Sequence, residues 1–326
     1  MINYTIFGES HGPAIGVVMT GLPGGLELNM DAVAAEMARR APGKDKTSTA
    51  RKEADKVQIL SGMFEGKTTG TPLCAVIPNT DTRSKDYSKL KDLPRPSHAD
   101  YTASVRYSGY ADYRGGGHFS GRLTAPLVFA GAVAKQILAQ RGISVTSRID
   151  LLGGVANPTA EQIDEIILAA KADADSVGGA VQCIVSGVPA GFGAPDLGEN
   201  VEGIFAKHLF AVPGVKGIEF GAGFGFANMR GSEANDPFVM EGDTVRTLTN
   251  HAGGINGGIT NGMPLVFRGA MRPTPSIGKQ QQTVNLSAKT NETLTVEGRH
   301  DPCIVKRALP VIEAAAALAV CEIMGI

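Results

Sequence analysis

Short apolar runs alternate along this chain with amphipathic stretches of helical period, so strands and helices are mixed. Gly16 to Met19 predicts a short strand, and Pro23-Gly24-Gly25 a turn after it. Asn29 has the chemistry of a helix N-cap, and Val33 and Met37 share one face of a helix running to about Arg40, where Pro42-Gly43 stops it. Lys44 to Lys56 is polar and predicts an exposed loop. Val57 to Leu60 and Leu73 to Ile77 predict strands. Asn79 to Ala99 is long, polar and Pro-bearing, the kind of loop that often carries function.

The strongest helix signal opens at Thr124, with Pro126 in its first turn, and Gly142 ends it. Leu127 to Leu138 is apolar nearly all round, which predicts burial on most sides. Thr159 and Gln162 form a capping box for a helix with Ile163, Ile166, Ile167 and Ala170 on its inner stripe. Val181 to Val185, Lys216 to Phe220 and Leu265 to Phe267 predict strands. An Ala-rich helix closes the chain from Pro310 to Met324, with the proline read as a helix start. Steady strand-helix-strand alternation is missing. The order therefore points to α+β layers with long buried helices, in a single domain over residues 1–326.

Composition narrows the function. The 31 Lys+Arg and 32 Asp+Glu leave a formal net charge of -1, which excludes a nucleic-acid binder working through bulk charge. No basic stripe is interleaved with aromatics. No apolar run of membrane-spanning length appears, because Glu313 and Glu322 break the C-terminal candidate. The N-terminal residues lack a signal-peptide pattern, and the four scattered cysteines suit a reducing compartment, so a cytoplasmic protein is expected. No Cys/His set has zinc spacing, so no metal is expected. The 42 glycines fit many tight turns and close backbone approaches to a ligand.

Candidate chemistry lies in polar clusters set among those glycines. His11, in Gly8-Glu9-Ser10-His11-Gly12, is either a turn residue or a proton carrier held where its ring meets a ligand. Arg39 and Arg40 suit a helix C-terminus by dipole alone, but Lys44, Lys46, Arg51 and Lys52 add cations enough for an anion site. His98, in Arg95-Pro96-Ser97-His98-Ala99-Asp100, is stiffly placed as a general acid needs to be, or lies in a solvated loop. Gly115-Gly116-Gly117-His118-Phe119-Ser120-Gly121-Arg122 enters a buried helix and suits anion binding, or is only a turn and cap. It is neither a phosphate-binding P-loop nor a dinucleotide fingerprint. Later come the glycine pairs after His251, the run Arg272 to Ser276, and Arg299-His300-Asp301. These residues describe an enzyme that binds a small polyanion with Arg and Lys, moves protons with His, and keeps a glycine-lined slot for a cofactor. They do not name the reaction.

GESHG, RRAPGKDKTSTARKEADKVQILSGMFEGKTTGTP, NTDTRSKDYS, HADYT, YRGGGHFSGR, HAGGINGGI and RHDPCIVKRALPVIEA, in this order, resemble the chorismate synthase family over nearly the whole length. The resemblance implies a β-α-β sandwich, with central long helices between antiparallel sheets, in a homotetramer. It also implies the shikimate-pathway reaction toward aromatic amino acids: anti 1,4-elimination of phosphate from 5-enolpyruvylshikimate 3-phosphate to give chorismate. That reaction has no net redox change but requires reduced FMN, thought to lend an electron transiently and help take the C6 proton. NADPH enters as a possible indirect reductant.

Carried over residue by residue, His98 gives a proton to the departing phosphate, His11 lies near the flavin N1/O2 edge, and Asp301 lies near N5. Arg51, Arg95, Ser120 and Arg122 match substrate positions. Arg40 and Lys46 match positions attributed to NADP. His118, Phe119, Ser120, Pro213, Gly214, Gly257, Arg272, Pro273, Thr274, Pro275, Ser276 and Arg299 match flavin contacts. The chain departs from the family's common pattern at His118-Phe119, usually Arg-Ser, and at Leu123, usually Glu. It departs again at Ser97, usually Gly, and at Lys46, usually Arg. Alternatives are a non-catalytic flavin- or anion-binding module of the same fold, and an NADP-dependent reductase.

Overall fold

The structure, a computed structural model, describes residues 1–43, 46–47, 55–80, 90–296 and 301–326. Its helices are α1 (Met30–Arg40), α2 (Asp100–Arg106), α3 (Thr124–Ala139), α4 (Ala160–Ala172), α5 (Val201–Phe210), α6 (Gly231–Ala234) and α7 (Val305–Ile323).

Two antiparallel sheets enclose the long helices. The first has the order Asn3–Gly8, Ala14–Thr20, Leu73–Pro78, Gln58–Ser61. Its register sets Ile15 opposite Ile77, Val17 opposite Ala75 and Met19 opposite Leu73. All six are buried, so strand alternation turns one face inward. The second has the order Val215–Phe220, Leu265–Met271, Gly179–Ser186, Ser144–Leu152, Val155–Ala156. Val181, Cys183, Val185, Leu265 and Phe267 form its buried face.

Helices α3 and α7 pack against each other. The first sheet contacts α3, and the second contacts α7. This is the expected sandwich of antiparallel sheets around central helices. Close approach of the two helices depends on Gly131, because a Cβ there would lie 2.2 Å from the Cβ of Ala314. Helix α1 begins as expected, with the Asn29 side chain accepting from Ala32 N, and it buries Val33, Met37 and Arg40. Thr159 and Gln162 form the expected capping box of α4.

Two expectations need correction. Helix α7 starts at Val305, and Pro310 lies inside it. A proline there removes an N–H from the ladder and costs about 3 kcal/mol in isolation. Burial of Val305, Ala308, Val311 and Ile312 against the core offsets that cost and extends the helix by one more turn. The stretch from Lys44 to Lys56 is also not simply exposed. Of its described residues, Lys46 and Lys56 are exposed, but Thr47 and Asp55 are buried.

Candidate active site

A cleft of about 240 Å³ opens where the C-terminus of α1, the turn before α3 and the start of α7 converge. Arg40, Arg95, Arg122, Arg272 and Arg307 line it with His98 and Asp301.

The His98 corner is built by a short, strained segment. Ser97 takes φ +59°, a left-handed conformation that a non-glycine residue seldom adopts. This turn precedes α2, whose first residue is Asp100. The Asp100 carboxylate accepts from Arg95 N at 3.0 Å, Arg95 Nε at 2.8 Å and Arg95 Nη2 at 2.8 Å. It also lies 2.6 Å from His98 Nδ1. Arg95 Nη2 approaches the same ring nitrogen at 3.0 Å. The carboxylate contact is shorter and charge-favoured, so Nδ1 carries the hydrogen and donates to Asp100. Nε2 is then the nitrogen that gains and loses a proton.

Burial lowers the pKa of His98; Asp100 pulls it up and Arg95 pushes it down, and the net direction is down. Burial alone would raise Asp100, but hydrogen bonds from Arg95 and His98 hold its carboxyl far below the usual carboxylate range. Gly116 takes φ +85°, and a Cβ there would lie 3.1 Å from His98 Cε1, so the glycine turn lets the ring seat against backbone.

The opposite wall is set by Asp55. Its buried carboxylate accepts from Arg40 Nη1 at 2.5 Å and from Arg122 Nη1. Burial works to raise its pKa, but the charges of Arg40 and Arg122 outweigh it and the carboxyl is held down. Arg307 Nη1 donates to Asp301. Arg272 Nη1 donates to the Ser97 carbonyl, and burial and the charge of Arg95 lower its pKa. Among the described residues, the five cleft guanidiniums thus face three carboxylates, Asp55, Asp100 and Asp301. The excess positive charge suits a ligand with several negative groups.

Among the residues singled out by sequence, Phe119, Ser120, Pro213, Gly214, Thr274, Pro275 and Ser276 also line this cleft. Ser276 Oγ accepts from Arg95 Nη1 at 3.1 Å. His11 is buried against the turn: a Cβ on Gly115, itself a cleft residue, would come 2.4 Å from His11 Cδ2. Pro273 packs beside Gly178, behind the lining. His118 turns its ring to the Gly8 carbonyl, 2.9 Å from Nδ1. Gly257 sits in the hairpin turn between Ile255–Asn256 and Ile259–Thr260, outside the cleft. Lys46 is exposed and also outside it, and its carbonyl accepts from Lys171 Nζ. Arg51 and Arg299 lie outside the described residues.

Sequence reasoning passed over Asp55, Asn79 and Arg307. Arg307 belongs to the RHDPCIVKRALP string, which was a usable signal. Asp55 and Asn79 also fall in strings that carry the resemblance, but residue type alone did not mark Asp55, because its charged run reads as solvated.

A family model described as chorismate synthase matches residues 2–324. The chain belongs to the chorismate synthase family. A relative from Chitinophaga pinensis named chorismate synthase is 48% identical over 324 residues, covering 99% of this chain and 95% of the relative. One from Thermococcus kodakarensis with the same name is 45% identical over 341 residues, covering 99% and 95%. A solved structure described as a crystal structure of chorismate synthase superposes with TM-score 0.76 at 26% identity. It covers 99% of this chain and 91% of that one. Membership in this family makes the chain a lyase of the shikimate pathway. No helix among the described residues is long and apolar enough to cross a membrane.

Proposed function

We propose that this protein acts on a phosphate ester: it forms chorismate by anti 1,4-elimination of phosphate from 5-enolpyruvylshikimate 3-phosphate, in the cleft described above. The observation that carries this reading is the gathering of five guanidiniums in one cleft with a histidine whose Nδ1 is held by Asp100. The substrate has a phosphate and two carboxylates. Arg95, Arg122 and Arg272 hold and orient these groups by charge-assisted hydrogen bonds, about 1.5–3 kcal/mol each when sheltered. Without ligand, burial lowers the pKa of His98 and so favours the neutral ring. An arriving anion about 5 Å away, at an effective dielectric near 20, favours the imidazolium by about 3 kcal/mol. Substrate binding itself therefore charges His98, and Nε2–H then donates to the phosphate oxygen as the C–O bond breaks. Asp301, fixed by Arg307, stands as acceptor for the C6 proton, with His11 packed behind the glycine turn.

The cleft suits reduced FMN. Thr274 Oγ1, on the lining, is buried with no hydrogen-bond partner among the described residues, which leaves it available to a ligand. Phe119, Pro213, Gly214, Arg272, Pro275 and Ser276 would hold the flavin with it. Reduced FMN, when bound, lends electron density without net oxidation or reduction. NADPH serves only as an indirect source of reduced flavin.

The reading extends to a cytoplasmic homotetramer of one-domain chains. One continuous buried cluster runs through both sheets and the helices. The hairpin of Phe238–Glu241 and Thr244–Thr247 turns Phe238, Met240 and Val245 outward, as a subunit contact would need. Anaerobic protein supplied with dithionite-reduced FMN and the enolpyruvyl phosphate should release equimolar phosphate and chorismate. Flavin binding without either product would overturn the reading.

A further inference from the structure

Asp55, to which the proposed reaction gives no part, lies at the centre of a hydrogen-bond chain. On one side, Arg122 Nη1 donates to its Oδ1, and Arg122 Nε donates to Asn79 Oδ1 at 3.0 Å. Asn79 Nδ2 then donates to the carbonyls of Glu9 and Gly12, at 3.0 and 2.9 Å. Those carbonyls bracket Ser10 and His11. On the other side, Arg40 Nη1 donates to Oδ2, and Arg40 Nε donates to Thr124 Oγ1 at 3.1 Å. The Arg40 carbonyl accepts from Arg307 Nε at 3.0 Å, and Arg307 Nη1 donates to Asp301. One carboxylate thus links the His11 loop to Asp301 through three cleft arginines, Arg122, Arg40 and Arg307.

The local backbone is held to this purpose. Asp55 takes φ +49°, which costs a non-glycine residue about 1 kcal/mol or more. Arg40 and Arg122 are both buried, and two desolvated guanidiniums repel each other unless a counter-charge stands between them. With Asp55 in place they keep one spacing before any ligand arrives.

We propose that Asp55 is a positioning residue: it sets Arg40 and Arg122 as a preformed pair on the cleft wall and ties that wall to His11 and Asp301. This rests on the reading that the cleft takes a phosphorylated dicarboxylate.

The test is steady-state turnover of wild type and Asp55→Asn, with reduced FMN saturating and the enolpyruvyl phosphate varied. Wild-type turnover checks the reaction on its own, so inactive wild type condemns the function and not the role of Asp55. A carboxylate that merely supports the fold would, when lost, reduce the active fraction, so kcat falls and KM stays. A positioning role raises KM at least tenfold. A KM within twofold of wild type overturns the proposal. Should Asp55→Asn not fold, Asn79→Ala keeps the Arg-Asp-Arg core and cuts only the branch to the His11 loop. With rates counted per flavin-binding site, which removes any loss of active fraction, this variant should lower kcat about tenfold with KM within twofold, because the substrate-facing arginines keep their spacing and only the His11 loop is released; a per-site kcat equal to wild type overturns the proposal.

Discussion

Replacing Asp100 by Asn removes one charge from the most crowded corner of the cleft while keeping its shape. The carboxylate takes three bonds from Arg95 and stands 2.6 Å from His98 Nδ1. With the charge centres about 4 Å apart and an effective dielectric near 20, the ionised carboxylate favours the imidazolium by about 4 kcal/mol. At about 1.4 kcal/mol per pH unit, that is an upper bound of about three units. Relaxation and water entry offset part of this. The basic limb of kcat, which reports loss of the acid in the complex, should therefore move to lower pH by at least about one unit. The assay is anaerobic chorismate formation with saturating reduced FMN and substrate, from about pH 5.5 to about pH 9. A limb at the wild-type position would show that His98 is not the acid, or that Asp100 does not set its proton.

Two further outcomes concern the helical layer. Glu313 is buried in α7 and accepts from Arg39 at 2.7 Å, Lys135 at 2.5 Å and Ser147 at 2.6 Å. Glu313→Gln should cost about 3–5 kcal/mol. At a melting entropy of about 0.7 kcal/mol/K for a chain of this length, calorimetry should read a Tm lower by about 4–7 °C. Burial alone would raise its pKa, but Arg39, Lys135 and Ser147 hold it below the ordinary 4.5. Its contribution is therefore present above that pH and lost as pH falls through the depressed value. The Tm gap between variant and wild type should shrink in acid, and a gap constant down to about pH 3 would contradict the assignment. Gly131→Ala places a Cβ 2.4 Å from Ala314 Cα, so α3 and α7 must part. A loss of about 1–3 kcal/mol or more is expected by chemical denaturation. An unchanged midpoint would mean the helices do not meet there.

Much of the fold was legible because its signals are local. Val33 and Met37 recur at helical spacing, Thr159 and Gln162 cap a helix by their own side chains, and Val181 to Val185 alternates as a strand must. Pro310 shows the limit: its local rule marks a helix start, yet the side chains before it gain more by packing than the missing hydrogen bond costs. At the site, the glycine turn, His98 and the surrounding arginines were visible as residue types suited to anions and protons. The same string placed His118 next to Phe119, but the turn sends one ring to the Gly8 carbonyl and the other to the cleft.

Which elements form, and which residue types carry the chemistry, was determined by the sequence alone, because periodicity, capping and side-chain acidity act over a few neighbouring residues. Which charges neutralise each other was decided only by the tertiary structure. Arg39 meets Glu313 across most of the chain, and Asp55 stands between arginines from two separate elements. Coulomb energy depends on distance and burial in space, and neither can be read until the sheets have closed around the helices.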